Sequence, residues 1–387
     1  MNIAAATTQM ALSSEQIQLD SPNSVTGQLH TLQAFPDLEK KWRALESDSD
    51  CSFFLSWSWI GTWLNQARNS CQLHVYESVC DGDLVALAII GIDRVTRRRI
   101  IRSQTVTLNE APDLTLNMFI EYNGILTKRG YEQQAWQQFL QDLCSELPGW
   151  DEIRLTNIPE SLINEQLARK LDLHLVMEAQ NSAWIAALAD ITDVDSIINK
   201  LGKSRRWQLR RSIREYQKEG PLVIDAARNT GEALEYFEAM GVLHSQRWRK
   251  SGKAGAYARP KWVDFHRSLI RNAFDLNEIQ MLRIRCGDRD IGYIYNFIWR
   301  GTVLVLQTGF ACEDRNILRP GYVSHLLAIQ LNASLGASHY DFMIGDSEYK
   351  SVLGQASSPQ ISVRLQRKRM RFSLEQLAQS AFNMMRR

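Results

Sequence analysis

From Thr302 to Lys350 the chain sets out side chains and turns suited to holding an anion beside a reacting group. An apolar run, Thr302 to Leu306, gives way to Gln307, Thr308 and Gly309, and a polar loop follows from Cys312 to Arg319. Pro320 and Gly321 open a segment with Val323, Leu326, Leu327 and Leu331 on one helical face, which Gly336 stops. His339 to Gly345 reads as a second buried strand. Strand, loop, helix, strand is a β-α-β crossover, right-handed and joining two parallel strands. Its loop leads into a helix N-terminus, where unpaired backbone N–H groups and the helix dipole suit a phosphate. Gln307, Gly309 and Gly321, with the guanidinium groups of Arg315 and Arg319, are the candidate contacts for that anion. Pro320 removes one donor N–H from the turn. Beyond the second strand stand Asp346, Glu348, Tyr349 and Lys350, at the carboxyl end of a strand, where ligands of α/β sheets sit.

A group transfer needs a base, and several residues offer one. His244 and Trp248 are four apart and share a helix face, with Arg247 beside them. The imidazole titrates near neutral pH and suits proton removal from an amine or hydroxyl; otherwise it is a helix-surface histidine packed beside a tryptophan. Asp341 lies mid-strand between Tyr340 and Phe342, and a carboxylate on a buried strand needs a partner. That partner is either structural or a substrate. Asp346 and Glu348 are alternative bases at the strand's end.

Basic residues cluster twice more. Arg206, Arg210 and Arg214 form one stripe of a connecting helix, Val194 to Lys218, that is nearly free of acids until Glu215. Such a stripe is either a solvated face or a contact for an acidic ligand, a nucleotide or lipid-linked phosphate, in the cleft between domains. Arg364, Arg367, Lys368, Arg369 and Arg371 precede Phe372, Leu374, Leu377, Ala381, Phe382 and Met385. This basic amphipathic tail suits an anionic membrane, a partner complex or the protein's own body.

The elements that must position these residues occupy 387 residues, more than one core accommodates, so two domains are expected. A net charge of +2 is too small to point to DNA. The six cysteines show neither CxxC nor Cys/His zinc spacing, which predicts reduced thiols of a cytoplasmic protein and no metal. The N-terminus lacks a basic region ahead of its short apolar part, and no apolar run reaches the roughly 18–20 residues of a membrane span. Each half reads strand, two helices, three antiparallel strands, helix, strand, then further strand, an internal repeat of architecture. WDEIRL in the first half answers HYDFMI in the second. Phe54, Trp57, Ile60, Trp63 and Leu64 recur at helical spacing and predict a core-facing helix. The predicted division is a flexible leader over 1–27, a first domain over 28–190, a basic connector over 191–219, a second domain over 220–370 and the tail over 371–387.

This α/β order resembles the GNAT N-acetyltransferase fold present twice, and the tandem arrangement resembles FemAB-type transferases and CelD-like acetyltransferases of cellulose and exopolysaccharide clusters. The residues carrying the resemblance are His244-Ser245-Gln246-Arg247-Trp248, Arg319-Pro320-Gly321, and Asp341-Phe342 with Gly345, Tyr349 and Lys350. It implies transfer of an acyl group, acetyl above all, from acetyl-CoA or another acyl-CoA to an amine or sugar hydroxyl, with the second half catalytic. By that resemblance Lys350 neutralises the oxyanion and Tyr349 protonates the leaving thiolate; Arg210, Arg214, Arg247, Trp248, Asp346 and Glu348 are the candidate substrate contacts. Leu318-Arg319-Pro320-Gly321-Tyr322-Val323 keeps only part of the GNAT phosphate turn. The first half has no such turn between Leu108 and Tyr131, so it is expected to hold no donor. Three alternatives stand beside this one: aminoacyl transfer from tRNA, a non-catalytic scaffold in a polysaccharide synthesis complex, and acylation of a lipid-linked sugar at the membrane.

Overall fold

The computed structural model describes residues 24–67, 72–97, 100–113 and 118–375. Residues 1–23 of the expected leader and 376–387 of the tail, with Leu377, Ala381, Phe382 and Met385, lie outside them. The alternating runs of the first half form β1 (Val25–Thr31), β2 (Gln72–Cys80), β3 (Asp83–Arg97) and β4 (Ile101–Leu108), with the short β5 (Leu126–Thr127) beside β3. Its helical periods form α1 (Leu38–Ser47), α2 (Trp57–Ala67) and α3 (Glu132–Ser145). Then come β6 (Glu152–Pro159), α4 (Glu165–Lys170), β7 (Leu173–Asn181) and β8 (Ala183–Ala187).

The predicted single connector is two helices, α5 (Val194–Asn199) and α6 (Lys203–Gln217). Asp193 and Ser196 cap α5 reciprocally, and extended Gly202 starts α6 afresh. The second half repeats the order with β9 (Leu222–Ala226), α7 (Thr230–Lys250), α8 (Pro260–Ala273), β10 (Ile279–Cys286), β11 (Arg289–Trp299) and β12 (Thr302–Phe310). It closes with α9 (Pro320–Ser334), β13 (His339–Ile344), α10 (Glu348–Leu353), β14 (Gln355–Ala356) and β15 (Gln360–Arg367). Of the polar cluster after β13, Glu348, Tyr349 and Lys350 form the first turn of α10.

Two mixed sheets result, ordered β1-β2-β3-β4-β6-β15-β7 and β9-β10-β11-β12-β13-β8-β14. The sixth place in each belongs to a strand from the other half. β8 inserts antiparallel between β13 and β14, and β15 inserts antiparallel between β6 and β7. The division at 190 and 370 is thus corrected: the strand at Ile361–Leu365 closes the first sheet, and 183–187 serves the second. An inserted strand satisfies the N–H and C=O rows on both of its sides, which an open edge leaves unpaired.

The halves also share one core. Phe53 stacks on Phe297 at 4.1 Å, Trp59 meets Phe265 edge-on at 4.8 Å, and Trp299 Nε1 donates to the Cys51 carbonyl at 2.8 Å. The tryptophan-rich segment read as a core-facing helix is α2, packed on α8 of the other half.

The basic tail is neutralised by the first half as far as it is described. Arg364 pairs with Glu178, Lys368 with Asp172, and both Arg369 and Arg371 with Asp151. Arg367 lies over the Trp150 ring at 4.2 Å. No described helix is long and apolar enough to cross a membrane.

Candidate active site

β12 and β13 pair in parallel only from Thr302↔His339 to Leu304↔Asp341. Beyond that, β12 carries an extra residue, Leu306, against β11, and β13 an extra residue, Phe342, against β8. Bulges bend a strand and end its regular pairing, so a notch opens between the two carboxyl ends. Buried Met343 takes φ +60° there, a left-handed conformation costing a non-glycine residue about 1 kcal/mol or more. Asp341 holds the turn, accepting from Met343 N at 2.7 Å, and Gly345 follows with φ +128°.

Beside Tyr349 lies a cavity of about 400 Å³ at the N-terminus of α9, walled by Arg247, Lys250, Phe310, Arg319, Gly321 and Tyr349. Of the five residues expected at a phosphate, Arg319 and Gly321 line it. Arg315 does not, because Glu215 and Glu219 take its guanidinium at 2.5 and 3.3 Å. Gly309 does not either: a Cβ there would meet the Met240 carbonyl oxygen at 2.4 Å, so its smallness serves the crossing of α7. Gln307 faces the second cavity. Arg247 and Lys250, from the last turn of α7, supply the cationic wall in place of Arg315. Neither these two nor the Arg319 guanidinium forms an ion pair among the described residues. The Arg319 backbone N–H is already committed to Ser212 Oγ at 3.0 Å.

The second cavity, about 350 Å³, lies between the halves and is walled by Glu121, Trp248, Gly255, Arg259, Gln307 and Ile344. Glu121 comes from the first half and accepts from Ile344 N at 3.0 Å. Its neighbour Tyr122 donates to both Asp341 carboxylate oxygens, each at 3.0 Å. Lys350 Nζ donates to the carbonyl of Ile344, a residue of the second cavity's wall, at 2.5 Å, while its neighbour Tyr349 lines the first; Lys350 itself lines neither. Burial pushes the Glu121 carboxyl up to about 8, with Lys350 and the Ile344 N–H opposing the shift. Burial likewise raises Asp341 to about 6 against the Met343 N–H and the Tyr122 hydroxyl, and lowers Lys350 against the charges of Glu121, Asp341 and Asp346. Asp341 thus has its structural partner in a tyrosine and a backbone amide.

His244 is corrected. It is buried, its ring lies under Gly255 and beside Trp248 and Tyr257, and it lines neither cavity. Burial and the nearby Arg247 charge lower it to about 4, so near neutral pH it is uncharged and only a weak base. Trp248 and Arg247, expected to face substrate, line the second and first cavities respectively. Glu348 is drawn to Arg205 on α6, and Asp346 is exposed beside Lys350. Arg210 and Arg214 are not in the cleft between halves: they rim a groove of about 740 Å³ between α5, α6 and α9, with Arg210 paired to Asp195 at 2.9 Å.

Glu121 and Tyr122 carry no sequence signal beyond an acid and an aromatic in a long loop. His325, beneath the site, was equally silent. Its buried ring stacks on Tyr349 at 4.7 Å, and Nδ1 lies 3.2 Å from the Tyr340 hydroxyl. Burial and Lys350 lower it to about 3, which keeps it an uncharged platform.

In the first half the corresponding strand ends are crossed by the chain itself. Asn109 Nδ2 donates to Asn123 Oδ1 at 3.1 Å and to the Gly124 carbonyl at 2.7 Å, and Asn123 Nδ2 donates to the Leu108 carbonyl at 2.9 Å. The loop that crosses this notch is the one that delivers Glu121 and Tyr122 to the other.

Residues 203–351 match the family model described as acetyltransferase (GNAT) domain. Among solved structures, FemX is similar at 10% identity over 88% of this chain and 98% of that chain, with a TM-score of 0.56. L-PGS from Bacillus licheniformis is similar at 11% identity over 90% of this chain and 97% of that chain, with a TM-score of 0.51. At such identities these two likenesses concern the fold. No curated protein matches. Residues 203–351 are thus similar to the GNAT acetyltransferase domain, within a two-sheet chain whose fold is similar to that of FemX.

Proposed function

We propose that this protein is an acyltransferase that moves an acyl group, acetyl in the first instance, from a coenzyme A thioester to an amine or sugar hydroxyl. The observation that carries the reading is a pair of unlike cavities beside the Tyr349–Lys350 turn: one lined by Tyr349 and walled by Arg247, Lys250 and Arg319 at a helix N-terminus, the other holding Glu121 and Ile344, to whose carbonyl Lys350 donates. The first suits a pyrophosphate, through charge-assisted contacts and the positive end of α9. The second suits a nucleophile that must lose a proton.

In this reading the acceptor nitrogen or oxygen attacks the thioester carbonyl, the new C–N or C–O bond forms, and the C–S bond breaks. Glu121 takes the acceptor's proton, its raised pKa lying near the working pH as a general base requires. Lys350 faces the carbonyl oxygen as it gains charge, a contribution of about 3–4 kcal/mol when preorganised. Tyr349 protonates the departing thiolate. Gln307 and Trp248 position the acceptor. Placement in exopolysaccharide or cell-envelope synthesis, as the CelD-like resemblance implies, belongs to the same proposal.

The test is calorimetric titration with CoA, acetyl-CoA and longer acyl-CoAs, followed by free-thiol release over a panel of amines and sugars. Saturable CoA binding lost in Arg319→Ala supports the reading; no binding of any CoA species sinks it. A second reading, aminoacyl transfer from tRNA, draws on one observation. Arg206 and Arg214 on α6 form no ion pair among the described residues, and Trp207 is exposed between them with Arg211 over its ring at 5.1 Å. Salt-sensitive tRNA binding abolished by Arg206→Ala with Arg214→Ala would favour it.

A further inference from the structure

The pseudo-symmetry of the halves leaves a second cavity at the place that answers the donor cavity. The donor cavity is built from the end of α7, the start of α9 and the segment after β13. In the first half the end of α1, the start of α3 and the segment after β6 enclose about 320 Å³, at the small end of ligand sites. Its charge is reversed. Where the donor cavity has Arg247, Lys250 and Arg319, this one has Asp50 and Glu132 and no basic residue in its wall. Asp50 is tied to Arg129 at 2.8 Å and Arg300 at 3.6 Å. Among the described residues Glu132 has only the Gly130 N–H on Oε1, at 3.1 Å, and it occupies the first turn of α3, where a phosphate would otherwise be drawn.

Two further wall residues ask for a polar ligand. Among the described residues, Trp136 is 2% exposed and its Nε1 has no partner; Gln360 is 6% exposed and its Oε1 has none. An unpaired buried donor and acceptor each cost stability that a ligand can restore. Leu55, Ile125, Pro159 and Leu162 supply apolar surface beside the Trp136 ring. A hydroxyl can accept from the indole and donate to the amide oxygen, a ring's C–H face can lie on the apolar wall, and an ammonium can answer Glu132.

We infer that this cavity is a binding site for a small hydroxylated ring bearing an amino group, an amino sugar or aminocyclitol, separate from the transfer site. It adjoins that site through Tyr122, which lines the cavity and bonds Asp341. The inference does not rest on the transfer reading.

The full chain is titrated with glucosamine and, separately, glucose, by calorimetry or ligand-observed NMR. Glucosamine is expected to bind about tenfold more tightly, the equivalent of one charge-assisted contact. Glu132→Lys, at an exposed position that leaves the core untouched, should remove that preference, and Trp136→Phe should weaken both sugars. The proposal is overturned if glucosamine shows no saturable binding, if it binds no better than glucose, or if Glu132→Lys leaves its affinity unchanged.

Discussion

Arg315 and Arg319 are four residues apart and equally basic, yet the structure assigns them opposite consequences. Arg319 lines the donor cavity without an ion pair among the described residues; Arg315 is held by Glu215 and Glu219 on the outer surface. A guanidinium that meets a phosphate contributes about 1.5–3 kcal/mol, so Arg319→Ala should weaken CoA binding by roughly 10- to 150-fold. Arg315→Ala removes a half-exposed pair worth about 0–1 kcal/mol of folding stability and should leave the CoA affinity within about twofold. In a thermal-shift assay at a hundred times the parent Kd, the ligand stabilises the parent by about 2.7 kcal/mol. A tenfold weaker Arg319→Ala retains about 1.4 kcal/mol of that, while Arg315→Ala retains nearly all. Calorimetry gives the same comparison without a melting step. Equal loss of affinity in both variants would refute the assignment of the cavity wall, and so would unchanged affinity in Arg319→Ala.

Lys350→Met keeps the stem and removes the charge; free-thiol release should fall about 10²- to 10³-fold in kcat with little change in donor KM, and a change in KM alone would contradict a transition-state role. Glu121 must be ionised to accept a proton, so acyl transfer should rise with pH through about 8, and Glu121→Gln should flatten that limb in a pH–rate profile. The same raised pKa means the folded state holds a proton the unfolded chain has lost; Glu121 therefore weakens the fold as pH rises through this range, and Glu121→Gln should raise the denaturation midpoint at pH 9 but not at pH 4. Gly309→Ala places a methyl against the Met240 carbonyl, which backbone cannot yield, and should destabilise by about 1–3 kcal/mol in urea unfolding without changing CoA affinity per folded molecule.

The linear chain by itself determined the elements and their order. Period-two runs became β9 to β13, period-3.6 runs became α2, α7, α8 and α9, and Pro320 opened its helix as its fixed φ allows. These are local consequences of side-chain alternation and backbone freedom, so the crossover that frames Tyr349 and Lys350 was legible, as was the echo between β6 and β13. What only the tertiary structure decided was partnership. A short apolar strand states that it pairs, never with which edge, and β8 and β15 each closed the opposite sheet. A loop acid is soluble by default, so Glu121 gave no sign that it would be buried against Ile344 across the domain boundary. An arginine's role depends on which carboxylates reach it first, which separated Arg315 from Arg319. His244 looked reactive by type, and the burial that Gly255 and Trp248 impose, a property of packing, set it away from both cavities and made it a weaker base.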